Sequence, residues 1–184
     1  MIRNKVVDLS KGTILTNDPS MTAWGYAIMS YKGEIIAQGV IKTKTEGKKR
    51  RIRKGDETTV RISEINKTLL EQIERYNVNY ILSELPHGSQ NASAAVMMGV
   101  VAGIAQTIAD CLNIGIEWYS EGDSKMCLLG VRSAEKKDTI AAIDKKYDVE
   151  WTGVKWKDEA VADALSIHYT ATKQSPVLKL LNQK

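Results

Sequence analysis

Between Thr13 and Lys42 the chain alternates apolar, β-forming runs with turn residues, and the first run ends on an acid. Thr13-Ile14-Leu15-Thr16-Asn17 leads directly into Asp18; Pro19-Ser20 then turns the chain, and Gly25 allows close backbone approach where the second run begins. A carboxylate held at the mouth of a strand is a common way to build a metal-dependent site. Asp before Pro is also an ordinary turn opener, and the segment alone leaves both readings open.

The pattern predicts strands at 13–17, 24–31 and 34–42, the last two joined by the hairpin turn Tyr31-Lys32-Gly33-Glu34 with Gly33 at positive φ. Val60, Ile65, Leu69, Ile73 and Tyr76 recur at helical spacing and place an amphipathic helix at 57–76. Tyr80-Ile81-Leu82 is continuously apolar, which suits a central strand, and it ends at Ser83-Glu84 ahead of Pro86. After a polar loop, His87 to Asn91, comes a helix at 91–112 rich in Ala and Gly, a composition suited to close packing in the core or across a dimer interface. A fifth strand at 114–119, helices at 122–129 and 133–147 (the second capped by Ser133), an irregular stretch at 148–156 and a helix at 157–173 complete the order, with a fraying tail from Gln174. The fold class expected is α/β: a five-stranded mixed sheet with helices on both faces.

A chain of 184 residues, 43% hydrophobic and 26% charged, is the size and composition of one soluble globular domain. It has no run of eighteen apolar residues and no apolar core at Met1-Ile2-Arg3-Asn4-Lys5, which excludes a membrane span and a signal peptide of the usual kind. Cys111 and Cys127 read as buried free thiols of a reducing compartment, and with only His87 and His168 a zinc site is not expected. The net charge of +4 is unevenly spread. Residues 43–56 form a basic, aperiodic segment carrying Lys48, Lys49, Arg50, Arg51, Arg53 and Lys54, and Lys42 and Arg61 flank it. One-signed density of this kind is a polyanion-binding footprint, here expected as a DNA-binding loop.

Acids therefore close the first strand (Asp18) and the fourth (Glu84), and Asp163 sits among small apolar residues of the final helix. If strands one and four are neighbours and the last helix packs over them, the three carboxylates converge. Oxygen donors without thiols suit a hard cation, Mg²⁺ or Mn²⁺, and two such ions serve phosphodiester hydrolysis.

These blocks resemble the RuvC family of Holliday-junction resolvases in the RNase H-like superfamily, particularly its phage-type members, over about residues 13–172. Asp18-Pro19-Ser20 with Thr22 and Gly25 is similar to the first motif of the family, and Ser83-Glu84-Leu85-Pro86-His87-Gly88-Ser89-Gln90 to the second. Lys125 with Gly130-Val131-Arg132-Ser133-Ala134-Glu135-Lys136 resembles the block whose two lysines serve the substrate backbone and the reaction, and Ala162-Asp163-Ala164-Leu165 resembles the last motif. The resemblance implies a single RNase H-like domain acting as a metal-dependent crossover junction endodeoxyribonuclease, with Asp18, Glu84 and Asp163 as metal ligands and Lys125 and Lys136 as catalytic lysines. It further implies a homodimer on branched DNA in the cytoplasm, that of the host if the chain is phage-encoded. His87, Gln90, Asn91, Lys125, Arg132 and Lys136 join the basic segment as expected DNA contacts.

The chain departs from the family pattern at two positions. Where members of the family carry an acid or a histidine three residues before the final aspartate, this chain has Ala160. Glu159 or Asp158 takes that place, with Glu159 the better aligned, or three acids suffice, or Ala160 is an inactivating substitution. His87 stands where bacterial members tend to carry a stacking aromatic. The alternatives to a junction nuclease are a junction-binding protein without cleavage and a hybrid-cutting RNase H-type enzyme. Two-domain sugar kinases and actin-like ATPases need a longer chain.

Overall fold

A computed structural model describes residues 12–45 and 53–181. Lys48, Lys49, Arg50 and Arg51 of the basic segment lie outside the described residues. Strands β1 (Thr13–Asp18), β2 (Ala23–Met29) and β3 (Ile35–Lys42) form an antiparallel meander. The β2–β3 turn is the expected hairpin: Gly33 has φ +84° and its N–H donates to the Ser30 carbonyl at 2.9 Å. Helix α1 (Lys54–Arg75) then crosses to β4 (Val78–Glu84), which pairs parallel to β1, and α2 (Ala92–Leu112) crosses to β5 (Gly115–Tyr119), parallel to β4. The sheet order is β3-β2-β1-β4-β5, the five-stranded mixed sheet read from the sequence.

Alternation along the strands divides the core in two. Leu15, Trp24, Ile28 and Ile81 face α1 and α2, where Ile65, Leu69, Ile73, Ile104 and Ile108 cover them. Ile14, Ala27, Met29 and Leu82 face the opposite layer, built from α4 (Lys136–Asp144), α5 (Lys155–Gln174) and α6 (Pro176–Leu181), with α3 (Glu121–Leu129) packed beside α5. Helices therefore cover both faces.

Several boundaries differ from the sequence reading. Helix α1 starts at Lys54 rather than 57, so the last part of the expected basic loop is already helical. Ser133 is not a helix cap: α4 starts at Lys136 behind Glu135, whose side chain makes a reciprocal capping box with Asp138. The residues after Gln174 do not simply fray, because Ser175 accepts from Leu178 N–H at 3.0 Å and Leu178 is buried against the second core. Cys111 is exposed and Cys127 half-buried, so neither is the inert buried thiol expected. Helix α2 meets the length and mean hydropathy of a membrane span, but Val101, Ile104, Ala105, Ile108 and Ala109 pack into the first core.

Candidate active site

The parallel pairing of β1 with β4 aligns Asn17 with Ser83, so the next residue on each strand, Asp18 and Glu84, ends side by side at the carboxyl edge of the sheet. Side-chain hydrogen bonds lock this edge. Ser83 Oγ donates to Asn17 Oδ1 at 3.0 Å, and Asn17 Nδ2 donates to the Leu82 carbonyl at 3.2 Å. Helix α5 is pinned above by Thr16 Oγ1, which donates to the Ala164 carbonyl at 2.6 Å and so brings Asp163 over the strand ends.

Position 160 belongs to the same contact. Gly25 is the cross-strand partner of Asp18, and a Cβ at Gly25 would collide with the Ala160 carbonyl. Backbone of α5 thus touches backbone of β2 one pairing away from Asp18, and Ala160 is buried at 6% exposure. This approach demands glycine at 25 and sets the Ala160 side chain beside it.

The electrostatics are those of crowded carboxylates. Burial, then the neighbouring Asp163, pushes the Asp18 carboxyl up to about 7, with Lys136 partly offsetting. Burial followed by the charge of Asp18 pushes Glu84 up to about 9. Burial also raises Asp163, although Lys136 Nζ donates to its Oδ2 at 2.8 Å and works in the opposite sense. Burial disfavours the Lys136 ammonium, but the charge and hydrogen bond of Asp163, joined by the charges of Asp18 and Glu159, together outweigh it and the pKa rises. Three half-buried acids with one ammonium bonded among them resist ionising together in the absence of a further cation. An all-oxygen donor set of this sign fits a hard divalent cation.

A fourth carboxylate reaches the site that sequence reasoning missed. Glu121, the first residue of α3, bears on Asp18, Glu84 and Asp163 alike. It accepts from Lys125 Nζ at 2.7 Å, and that bond holds its own carboxyl below the usual range. The only sequence signal for it is position: Ser120 caps α3, and Glu121 follows the strand that pairs with β4.

The other expected residues are placed as follows. Lys125 stands at the site through Glu121 rather than through Asp163. Glu159 lies 4.0 Å from the exposed Lys155 and adds its charge to Lys136. Asp158 is spent on structure, its Oδ1 accepting from Thr152 N–H at 2.9 Å and Thr152 Oγ1 at 2.8 Å. Asn91 caps α2, its Oδ1 accepting from Ala94 N–H at 3.1 Å. Gln90 and His87 are exposed in the loop after β4, the His87 Nε2 3.7 Å from Glu121 Oε2. Arg132 pairs with Asp123 at 2.8 Å, and Arg53 bonds Asp56 through two nitrogens at 2.7 and 2.9 Å while remaining exposed. Lys54 is exposed at the start of α1.

Arg61, counted in the sequence among the cations flanking the basic segment, is a clamp. Its Nη2 donates to the Met21 carbonyl at 2.8 Å and Thr22 Oγ1 at 3.0 Å, and its Nε donates to Thr43 Oγ1 at 2.8 Å. One guanidinium thereby ties α1 to the turn after Asp18 and to the chain leaving β3.

Comparison with known proteins agrees with this geometry. The family model for crossover junction endodeoxyribonuclease RuvC matches residues 14–171. Curated relatives called crossover junction endodeoxyribonuclease RuvC include that of Ehrlichia canis, 24% identical over 155 residues (83% of this chain, 94% of the relative). That of Orientia tsutsugamushi is 26% identical over 162 residues, covering 86% of this chain and 94% of the relative. Among solved structures, T. thermophilus RuvC in complex with a Holliday junction substrate superposes with TM-score 0.71 at 18% identity, over 88% of this chain and 93% of that one. The yeast mitochondrial Holliday junction resolvase Ydc2 superposes with TM-score 0.59 at 15% identity, over 94% and 86% of the two chains. Sheet order, the acids at the ends of β1 and β4 and a match running from β1 into the last turns of α5 lead to one assignment: the chain belongs to the crossover junction endodeoxyribonuclease RuvC family.

Proposed function

We propose that this protein is a structure-selective endonuclease that resolves four-way DNA junctions by divalent-metal-dependent phosphodiester hydrolysis. The observation that carries the reading is the meeting of Asp18, Glu84 and Asp163, from two neighbouring parallel strands and the helix packed over them. Asp18, Glu84 and Asp163 would hold the metal, Mg²⁺ or Mn²⁺. A divalent cation bound there supplies Lewis-acid charge to the scissile phosphate and makes water a better nucleophile.

The chain's own groups do the rest. The half-buried carboxylates orient the site and, being held on strand ends and a packed helix, cost little reorganisation during the reaction. Lys136, half exposed beside Asp163, faces the position where negative charge develops on phosphate oxygens. Lys125 stands ready as a second phosphate-facing ammonium, kept in place by Glu121. The attacking water forms a new P–O bond, the bond from phosphorus to the leaving oxygen breaks, and that oxygen takes a proton. Lys48, Lys49, Arg50, Arg51, Arg53 and Lys54 track the DNA backbone, and His87, Gln90 and Arg132 flank the carboxylate edge as further contacts. The protein acts as a homodimer in the cytoplasm, which matches two cuts across a junction. The α2 face bearing Val96, Gly99 and Gly103 supports that contact, because no atom lies within 4 Å of a Cβ built at either glycine and Val96 is 60% exposed.

The test is cleavage of a synthetic four-way junction, a linear duplex of the same sequence and an RNA–DNA hybrid, each with Mg²⁺ or Mn²⁺. Paired nicks in the junction alone are expected. Tight junction binding without nicking under either metal identifies a binding protein, and cleavage of the hybrid alone identifies an RNase H-type enzyme.

A further inference from the structure

The turn after Asp18 and the end of β3 are tied to one another. Thr43 N–H donates to the Thr22 carbonyl at 3.2 Å, and Arg61 bonds Met21, Thr22 and Thr43 at once. Lys42, the last residue of β3, therefore stands at the same edge of the sheet as Asp18. Helix α5 crosses this edge: Ala160 lies against Gly25, and Trp156 sits one helical turn earlier. There Lys42 Nζ lies over the half-buried Trp156 indole, 4.2 Å from its centroid, and Lys157 Nζ lies 5.7 Å from the same ring. A helix N-terminus favours acids, so helix stability does not account for Lys157 in the first turn of α5. Among the described residues no carboxylate forms an ion pair with Lys42 or Lys157, because Asp158 accepts from Thr152 and Glu159 lies 4.0 Å from Lys155.

We infer that Lys42, Trp156 and Lys157 form a clasp for one backbone phosphate of the DNA strand that enters the active site. The inference rests on the junction-nuclease reading above and adds a place, outside the carboxylates, where the substrate is held. The negative face of the indole attracts both ammoniums and offsets their mutual repulsion, so they are gathered before any ligand arrives. Two neighbouring ammoniums without a carboxylate keep N–H donors for an anion, and the oxygens of a phosphodiester suit that pair. Position selects the phosphate. Trp156 and Asp163 lie two turns apart on α5, about 10 Å along its axis. At about 3.4 Å per nucleotide, the clasp falls about three nucleotides from the bond at the carboxylates. From Lys42 the chain runs on through Lys44 into the basic segment, so the clasp joins that segment to the carboxylate edge.

The test is binding of the full chain to a synthetic four-way junction in EDTA, followed by fluorescence anisotropy as salt rises from about 50 to about 200 mM. K42Q/K157Q should lower the slope of log affinity against log salt by about 1, so that wild type loses about threefold more affinity over this range. K67Q/K179Q removes the same charge from exposed positions of α1 and α6 and should bind as wild type. Single neutral methylphosphonates are then placed in turn along the strand, up to about three nucleotides from the cleaved bond. One position should weaken wild type about threefold and leave K42Q/K157Q unchanged. Wild-type slope and affinity in K42Q/K157Q, or equal sensitivity of both proteins at every methylphosphonate, overturns the clasp. W156L keeps both ammoniums without the ring that gathers them and should bind several-fold more weakly. Neither lysine is buried, so the lysine variants decide the matter even if W156L folds poorly. Failure of the parent reading looks different: wild type then binds the junction no better than a linear duplex and nicks it with neither Mg²⁺ nor Mn²⁺, while the slopes still report on the clasp.

Discussion

Replacing Asp18 with Asn should make the metal-free protein more stable at neutral pH while removing its activity. In the folded chain burial and Asp163 lift the Asp18 carboxyl from 3.8 to about 7. Below pH 4 the group is protonated in both folded and unfolded chains and contributes nothing to the pH dependence. As the pH rises from about 4 to about 7 the unfolded chain releases the proton and the folded one retains it, so stability is lost across that window and stays lost above it. Three pKa units correspond to about 4 kcal/mol at pH 8. Asn keeps the cost of burying a polar group, so about half of this, roughly 2 kcal/mol, should appear as a gain in D18N. For a chain of this size that gain raises Tm by about 4–8 °C. The assay is thermal unfolding in EDTA at pH 8 and at pH 4.5, then with millimolar Mn²⁺. D18N should exceed wild type at pH 8, the gap should shrink at pH 4.5, and Mn²⁺ should stabilise wild type more than the variant. A D18N protein less stable than wild type in EDTA at pH 8, with Mn²⁺ acting on both equally, refutes the picture of unbalanced charge awaiting a cation.

Other expectations follow from single contacts. K136M removes the ammonium beside Asp163 and should lower the single-turnover cleavage rate about 10²–10³-fold with junction affinity changed by a few fold at most, measured with pre-bound DNA. R61K retains charge but cannot span Met21, Thr22 and Thr43 together, and R61K should cost about 1–3 kcal/mol by urea unfolding; an unchanged midpoint would show the clamp to be idle. A160D puts a larger, charged group where α5 touches Gly25, and should destabilise by about 2 kcal/mol or more; a stable and more active A160D would mean that packing does not dictate the alanine. G103L, on the outer face of α2, should leave the fold intact and shift sedimentation from dimer to monomer; an unaltered dimer places the subunit contact elsewhere.

Much of the site was legible because local patterns carry it. Asp18 and Glu84 each terminate an apolar run, and such runs become strands because burying them is the strongest local preference available. Asp163 stood out as an acid among alanines on a helix that had to pack against the sheet. The order of strands and helices, and hence the mixed sheet, followed from the same periodicities. Boundaries were less legible: Ser133 offered a good cap, but the Glu135–Asp138 box lies three residues on and closes the helix there.

What needed the tertiary structure was every pairing between distant segments. Asn91 reads in the sequence only as an expected DNA contact, and the fold adds that its Oδ1 caps α2; Arg61 reads as one more cation of a basic stretch until its three acceptors are seen. Asp158 and Glu159 are adjacent in sequence, yet Asp158 is bound to Thr152 of the loop before α5, whereas Glu159 lies 4.0 Å from Lys155 and bears by its charge on Lys136. Glu121 carries no motif at all. It reaches Glu84 because β5 lies parallel to β4 in a register that ends both strands together, and register is decided by which faces the whole sheet buries. The chain alone thus determined which acids sit at the ends of its strands. Only folding decided which of them share a space, because that depends on strand order and helix approach, properties no single segment contains.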